Sequence, residues 1–243
     1  MKKYPKYHAA KSVLRALAPK RLPLWLKNSP LARHWNRLQV WSFPDLSGYV
    51  AQTGQDLFLH QHLGLEKRNG FFVDIGAFDG VEISNSLFFE RELGWKGLCV
   101  EPIPEIFARL RANRLADCIN AAAGTHDGKA EFVVLEGGFE TGSHLAKEGE
   151  ATKAGTRRIP VEVVDIARVL REHGVKKINF LSIDIEGGEM ELFDHIAASG
   201  IQIDVVAMEL NMNFVEMDAR MARHGYRLKA QVGADRIYRY WRS

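Results

Sequence analysis

The sequence has little of what would direct a protein into or across a membrane. No apolar run in its 243 residues approaches the roughly 18 residues of a membrane-spanning helix. The N-terminus lacks the apolar block of a secretory signal. Cysteine occurs only as Cys99 and Cys118, and no Cys/His group has zinc spacing. We therefore expect a cytoplasmic protein with two reduced, buried cysteines.

Acidic residues are missing from the first 44 positions, since the first carboxylate of the chain is Asp45. This stretch holds ten of the 33 Lys/Arg and three of the five tryptophans, and the remainder has 23 basic against 30 acidic residues. We expect residues 1–48 to form a partly helical basic extension and residues 49–243 to form one catalytic domain. Cations among tryptophans suit an anionic lipid surface, so residues 1–44 predict peripheral contact at the inner face of the membrane. The alternatives are a lid over the acidic domain or a homo-oligomer interface. A nucleic-acid partner is not expected.

The most informative segment is residues 71–80, where an apolar run ends in Asp74 and continues into a loop with Gly76 and Gly80. Glycines there allow the backbone to approach a ligand closely. A second apolar run, residues 97–100, ends in Glu101, 21 residues after Gly80. Open α/β folds place at about this position a carboxylate that binds a ribose diol. The pattern predicts a nucleoside cofactor at the carboxyl ends of parallel strands.

The identity of the nucleoside follows from the loop. Its sequence, GAFDG at residues 76–80, lacks the G-x-G-x-x-G spacing of dinucleotide sites, and Asp79 would repel a diphosphate. A cationic sulfonium that also carries an ammonium group tolerates these acids better. The sequence favours S-adenosylmethionine over NAD. An NAD-dependent oxidoreductase and a non-catalytic binding module with a cofactor fold are the alternatives.

Alternating strands and helices predict an α/β fold. Gly233 separates two segments in which apolar and polar residues alternate, and this pattern predicts an antiparallel hairpin. A seven-stranded, mostly parallel sheet completed by such a hairpin is typical of class I (Rossmann-like) methyltransferases. The polar, glycine-rich residues 136–155 predict a long functional loop. The expected strands lie at about 70–75 and 97–101, then one that ends near Asn120, and then at 130–135, 157–163, 178–184, 203–210, 226–231 and 236–241. Helices are expected at 55–64, 84–93, from Pro104, at 165–173, after Glu189 and at 214–224.

Several short motifs occur in a specific order between residues 50 and 240. They are GQD at 54–56, FVDIGA at 72–77, DG at 79–80, SN at 84–85, GW at 94–95, VEP at 100–102, NAA at 120–122, and SIDIEG-x-E at 182–189. With them the chain resembles the FkbM family of S-adenosylmethionine-dependent methyltransferases. The resemblance implies a Rossmann-like fold and methylation of hydroxyls on sugars or other secondary metabolites. Family patterns often have two serines where this chain has Ser143 and His144.

The cofactor is expected to contact residues after the first three strands. Glu101 should accept both ribose hydroxyls, Asp74 should lie beside the methionine part, and Asn120 or its neighbours should contact adenine. Gln55, Asp56 and Asn85 are candidates for the amino-acid end, with helix capping as the alternative for each. The full expected set is Gln55, Asp74, Gly76, Ala77, Asp79, Asn85, Glu101, Pro102, Asn120 and Ala121.

The acceptor is expected to lie near Asp184. An alcohol is a poor nucleophile until its proton is removed, so a general base is useful. Asp184 is the first candidate, followed by Glu186 and then His144, although acids here also stabilise a helix N-terminus. No metal is expected, and the alternative is Mg²⁺ held by Asp184, Glu209 and Asn211. The predicted function is O-methylation of a sugar, glycolipid, polysaccharide or related metabolite, with a small-molecule, glycan or lipid-linked acceptor.

Overall fold

The computed structural model describes residues 48–135, 140–146, 153–209 and 213–241. The predicted basic extension therefore lies almost entirely outside the described residues. Among the described residues, no helix combines the length and the apolar character needed to cross a membrane.

A seven-stranded sheet with the order β10-β11-β9-β8-β1-β2-β3 forms the centre of the domain. Strands β3, β2, β1, β8 and β9 are parallel, whereas β11 and β10 run antiparallel to their neighbours. The predicted mostly parallel sheet with a C-terminal hairpin is confirmed. Its strands are β1 (Phe71–Ile75), β2 (Lys96–Val100), β3 (Asp117–Ile119), β8 (Lys177–Ile183), β9 (Gln202–Glu209), β10 (Tyr226–Val232) and β11 (Asp235–Tyr240).

A second sheet of four strands has the order β4-β7-β5-β6. Its strands are β4 (Ala122–Gly124), β5 (Gly128–Leu135), β6 (His144–Leu145) and β7 (Thr156–Asp165), with a 3₁₀ turn at Glu140–Gly142 before β6. We predicted two strands here but placed them on either side of one long loop. The described part of that loop instead contributes the 3₁₀ turn and β6, which pairs with β5 through Phe132 and Val133.

The helices cover both faces of the main sheet. Along β1, Phe72 packs in one apolar cluster and Val73 in the other, so consecutive residues face opposite sides. This is the burial expected for a parallel strand covered on both faces. The helices are α1 (Gln55–Leu57), which continues as a π-helical turn (Phe58–His62), α2 (Leu87–Leu93), α3 (Pro104–Asn113), α4 (Ile166–Glu172), α5 (Glu189–Ala198) and α6 (Phe214–Arg223).

Helix α2 begins three residues later than predicted. Ser84 Oγ accepts hydrogen bonds from the backbone N–H of Ser86 and of Leu87, and Ile83 has a left-handed φ of 53°. A serine that binds the backbone locally competes with the helix for the same donors. Residues 84–86 consequently form a turn at the edge of the sheet instead of the first helical turn.

Candidate active site

A cavity of about 870 Å³, which includes space open to solvent, lies where β1, β2 and β8 end. The chain turns from β1 to β2 on one side and returns through β8 on the other, so this is the topological switch point where open α/β sheets bind ligands. Seven of the ten predicted cofactor residues line the cavity: Asp74, Gly76, Ala77, Asn85, Glu101, Pro102 and Ala121. Asp184, the first candidate for the base, lines it too.

Gly76 is needed at the end of β1 for a reason other than the one the sequence suggested. Its φ is +84°, and a Cβ there would overlap the backbone oxygen of Asp184. The amide of Asp184 in turn donates to the carbonyl of Ile75 at 3.0 Å. The absence of a side chain at Gly76 therefore lets the ends of β1 and β8 meet, and the space for a ligand lies beyond that junction.

Glu101 is buried at the end of β2, with both carboxylate oxygens held by the backbone. The N–H of Ile103 donates to Oε1 at 2.8 Å and the N–H of Phe78 donates to Oε2 at 3.2 Å. Burial raises the pKa of Glu101 from 4.5 to about 7. A carboxylate has about four acceptor sites, so two remain for the hydroxyls of a ribose.

Asn120 lies beside this carboxylate but does not line the cavity. Its exposed side chain donates from Nδ2 to the carbonyl oxygens of Glu101 at 2.9 Å and Pro102 at 3.1 Å. It therefore fixes the turn that presents Glu101. The backbone that follows at Ala121 lines the cavity.

The surroundings of Asn85 test whether the cavity can also hold the cationic amino-acid end of the cofactor. Asn85 Nδ2 donates to Ser182 Oγ at 3.1 Å and to Asp235 Oδ2 at 3.4 Å. Its Oδ1 is buried and has no hydrogen-bond partner among the described residues. An unpaired acceptor in a cavity that the Asp74 carboxylate also lines suits the ammonium group of a methionine moiety. The residues present therefore fit S-adenosylmethionine.

Gln55 and Asp79 support the cavity from behind its wall. Gln55 is buried and donates from Nε2 to Asp235 Oδ2 at 2.8 Å, which links α1 to β11. Asp79 Oδ1 accepts from the N–H of Val81 at 2.9 Å and of Glu82 at 2.8 Å. Neither side chain lines the cavity, and direct contact of either with the cofactor remains a prediction.

Sequence reasoning did not find Asp235, which does not line the cavity but accepts hydrogen bonds from Gln55 and Asn85. It is buried at the start of β11, and burial, together with nearby Glu209, raises its pKa to about 6. Aspartate is unusual at a buried strand position, so that mismatch was a usable signal.

Three carboxylates cluster where β8 and β9 end. Single oxygens of Asp184, Glu186 and Glu209 all lie within 4.8 Å of one another. Burial and the neighbouring carboxylates of Glu209 and Asp235 raise the pKa of Asp184 to about 9. Burial and Glu209 also raise the pKa of Glu186. The cluster therefore retains a proton at pH values where an exposed carboxylate has none.

The two remaining catalytic candidates, Glu186 and His144, do not line the cavity, although Glu186 belongs to the carboxylate cluster with Asp184. Glu186 has a left-handed φ of 57°, and nearby His144 opposes the rise in its pKa. His144 lies in β6, and its Nδ1 is 3.2 Å from the carbonyl oxygen of Gly142. Of the alternative metal ligands, Asp184 and Glu209 belong to the cluster and Asn211 lies outside the described residues.

The second sheet supplies the wall opposite the main sheet. Its strands line the cavity with Ala122, Ala123, Phe132 and Leu145, and the turn before β6 adds the hydroxyls of Thr141 and Ser143. Ser143 Oγ accepts from the N–H of Leu135 at 3.0 Å, so the hydroxyl fixes the turn before β6. This wall lies next to the carboxylate cluster, because Gly142 of its 3₁₀ turn approaches Glu186.

The sheet order, the cofactor pocket at the switch point and the C-terminal hairpin define a class I methyltransferase fold. Residues 74–228 match the family model described as the methyltransferase FkbM domain. The chain belongs to the FkbM methyltransferase family. Its cofactor is S-adenosylmethionine, as predicted in preference to NAD.

Solved structures with a similar fold include a methyltransferase FkbM from Methylobacillus flagellatus, with 14% identity and a TM-score of 0.48. The match covers 97% of this chain but 59% of that one. A precorrin-6y C5,15-methyltransferase from Geobacter metallireducens is 14% identical, with coverage of 82% and 93% and a TM-score of 0.44. A TehB-like methyltransferase from Corynebacterium glutamicum is 10% identical, with coverage of 87% and 96% and a TM-score of 0.41. No curated protein sequence matches the chain significantly.

Proposed function

We propose that the chain is an O-methyltransferase that acts on a hydroxyl of a sugar, glycolipid, polysaccharide or related metabolite. The observation that carries the proposal is the position of Asp184, which lines the cofactor cavity and belongs to a cluster of three carboxylates. Bound S-adenosylmethionine supplies an electrophilic methyl group on a sulfonium. Glu101, Asp74 and Asn85 would hold it, by its ribose and by its amino-acid end.

Asp184 would accept the proton of the acceptor hydroxyl. A carboxylate with a raised pKa is a stronger base than an ordinary one and is better matched to an alcohol near neutral pH. Glu209 lies within reach to share the proton, so the apparent pKa values belong to the cluster as a whole. Positioning of the hydroxyl against the methyl group would supply much of the remaining rate.

The charge of the cavity favours an acceptor without phosphate or carboxylate groups. Asp74, Glu82, Glu101 and Asp184 line it, and no Lys or Arg does so among the described residues. Part of that negative charge is offset by the cationic cofactor, and the rest would repel an anionic acceptor. Neutral sugars and neutral glycolipids avoid this repulsion, and the hydroxyls of Thr141 and Ser143 could hydrogen-bond to them.

The test is methyl transfer from labelled S-adenosylmethionine to a panel of neutral, acidic and aminated glycans and glycolipids, with the product located by mass spectrometry. We expect the label on an oxygen of a neutral acceptor, lost in Asp184→Asn and kept in Glu162→Gln. Glu162 is a matched control because its carboxylate is 62% exposed on β7 and pairs with Lys129. Label on nitrogen would contradict O-methylation. Cofactor binding without transfer to any acceptor would favour the non-catalytic alternative.

A further inference from the structure

Arg114 lies outside every motif found in the sequence, yet its buried side chain holds several parts of the site. It follows the last residue of α3, and its side chain has no exposed surface. Nε donates to Glu90 Oε2 at 3.1 Å, Nη2 to Ser86 Oγ at 2.9 Å, and Nη1 to the carbonyl oxygen of Gly80 at 3.3 Å. The guanidinium of Arg114 thus connects the loop after β1 (residues 76–80) to the turn before α2 (residues 84–86).

The link from Arg114 to the cavity passes through Ser86. Its hydroxyl accepts from Arg114 and therefore donates its own proton to Asp74 Oδ2. Nη1 of Arg114 also lies 4.0 Å from that oxygen. One oxygen of Asp74 is anchored in this way, and the orientation of the whole carboxylate at the cavity wall is fixed.

The loop that follows β1, residues 76–80, packs directly against the side chain of Arg114. Gly80 has a φ of +77°, and a Cβ there would lie 2.6 Å from Arg114 Cγ. The ring of Phe72 lies 5.1 Å below the guanidinium. An arginine buried this completely is costly to desolvate, and it is retained only where its donors are used. Here those donors hold two sides of the cofactor cavity.

We propose that Arg114 is a positioning residue for the cofactor, which acts through Ser86 on Asp74 and holds residues 76–86 in the binding conformation. Arg114 does not line the cavity, so its action is indirect. The inference rests on the proposed function only in that the cofactor is S-adenosylmethionine. It does not depend on the acceptor.

Asp74 also meets charged and titratable groups from other elements. Glu90 faces it from α2, Cys99 from β2 and Asp235 from β11, while Ser86 and Ser182 are hydroxyl neighbours. Burial raises the pKa of Asp74, and Arg114 is the group that most strongly opposes this rise. Without Arg114, two carboxylates would remain nearby and Asp74 would take up a proton at a higher pH.

The experiment is calorimetry of the full chain with S-adenosylhomocysteine, without an acceptor, at pH 8 and pH 6. We expect Arg114→Gln to weaken binding about tenfold at pH 8, or about 1.4 kcal/mol, and by a larger ratio to wild type at pH 6. Arg114→Lys keeps the positive charge but loses the planar guanidinium group, whose nitrogens donate several hydrogen bonds in fixed directions. It should weaken binding and keep the wild-type pH profile. Arg111→Gln, an exposed change in the last turn of α3, is the matched control and should bind like wild type.

Ser86→Ala removes the link without removing the charge, and it keeps the inference testable if Arg114→Gln does not fold. We expect Ser86→Ala to weaken binding several-fold on the wild-type background and to have no further effect on an Asp74→Asn background. Equal losses on both backgrounds, or binding by Ser86→Ala and Arg114→Lys within twofold of wild type, would overturn the inference. A wild-type protein that binds no S-adenosylhomocysteine would instead overturn the proposed function, and this inference with it.

Discussion

Two replacements of Glu101 would separate its effect on the stability of the fold from its effect on the affinity for the cofactor. Glu101→Ala removes the acceptor for two backbone N–H groups, the buried one of Ile103 and the partly buried one of Phe78, and also the expected partner of the ribose diol. Glu101→Gln keeps one oxygen, so it loses one of the two backbone hydrogen bonds. The two variants should therefore differ in stability more than in cofactor binding.

The magnitudes follow from the burial of the carboxylate. The rise of its pKa from 4.5 to about 7 means that ionised Glu101 destabilises the fold by about 3 kcal/mol above pH 7. This cost is relieved as the pH falls from 7 towards 4.5, because the folded state binds the proton more tightly. Each unsatisfied N–H costs about 1–3 kcal/mol. At pH 8, Glu101→Gln should be as stable as wild type or more stable, and Glu101→Ala should be less stable than Glu101→Gln.

Both variants should bind the cofactor less tightly by about 1.5–3 kcal/mol, the range for hydrogen bonds to a charged group. Since the ionised carboxylate accepts the ribose hydroxyls, wild-type affinity should also fall about tenfold between pH 8 and pH 6. Calorimetry with S-adenosylhomocysteine and thermal unfolding measure the two effects, with the exposed Glu105→Gln in α3 as the control. Variants that fold and bind within threefold of wild type at pH 8 would refute the assignment of Glu101 to the ribose.

Three further outcomes are expected. Asp184→Asn should lower kcat by about 10²–10⁴-fold while cofactor affinity changes little, because Asp184 is proposed to face the acceptor and not the adenosine. Full activity at saturating acceptor would exclude it as the base. In the wild type, kcat/KM should rise with pH from about 6 towards 9, as the raised pKa of Asp184 requires, and EDTA should leave the rate unchanged. Inhibition by EDTA that Mg²⁺ reverses would favour the metal alternative. Full-length protein should sediment with anionic vesicles at low salt, and a variant lacking residues 1–44 should not; sedimentation of neither would refute the membrane proposal.

The central strands β1, β2, β8 and β9 were predictable because each is largely buried and reads as a mostly apolar run. Ile178–Ile183 and Ile203–Met208 are examples, and β8 and β9 contain them as neighbouring strands. The four-stranded sheet was not predicted. Its strand β6 has two residues, too few to show alternation, and its strand β4 pairs with β7, which lies far along the chain. Such pairing leaves no periodicity in the sequence.

The site was predictable where an acid directly follows an apolar strand, as at Asp74, Glu101 and Asp184. It was not predictable where a residue acts from a distance. Arg114 follows a helix about 40 residues after Asp74, and only the folded chain brings it below that carboxylate. Asn120 matched a motif, but its side chain binds backbone carbonyls instead of lining the cavity. A motif indicates which residues belong to a site. It does not distinguish the residues that line the cavity from those that hold the lining residues in place.

The cavity is walled by two separate sheets, the seven-stranded sheet on one side and the four-stranded sheet on the other. Strands β4, β5, β6 and β7 bond to one another and not to the seven-stranded sheet. Phe132, Thr141 and Ser143 can therefore change without disturbing the strands that carry Asp74 and Glu101. Exchange of the segment between β5 and β7 for that of a relative should alter which acceptor is methylated while the affinity for the methyl donor is preserved. With this architecture, evolution could change the acceptor while the methyl donor stays the same.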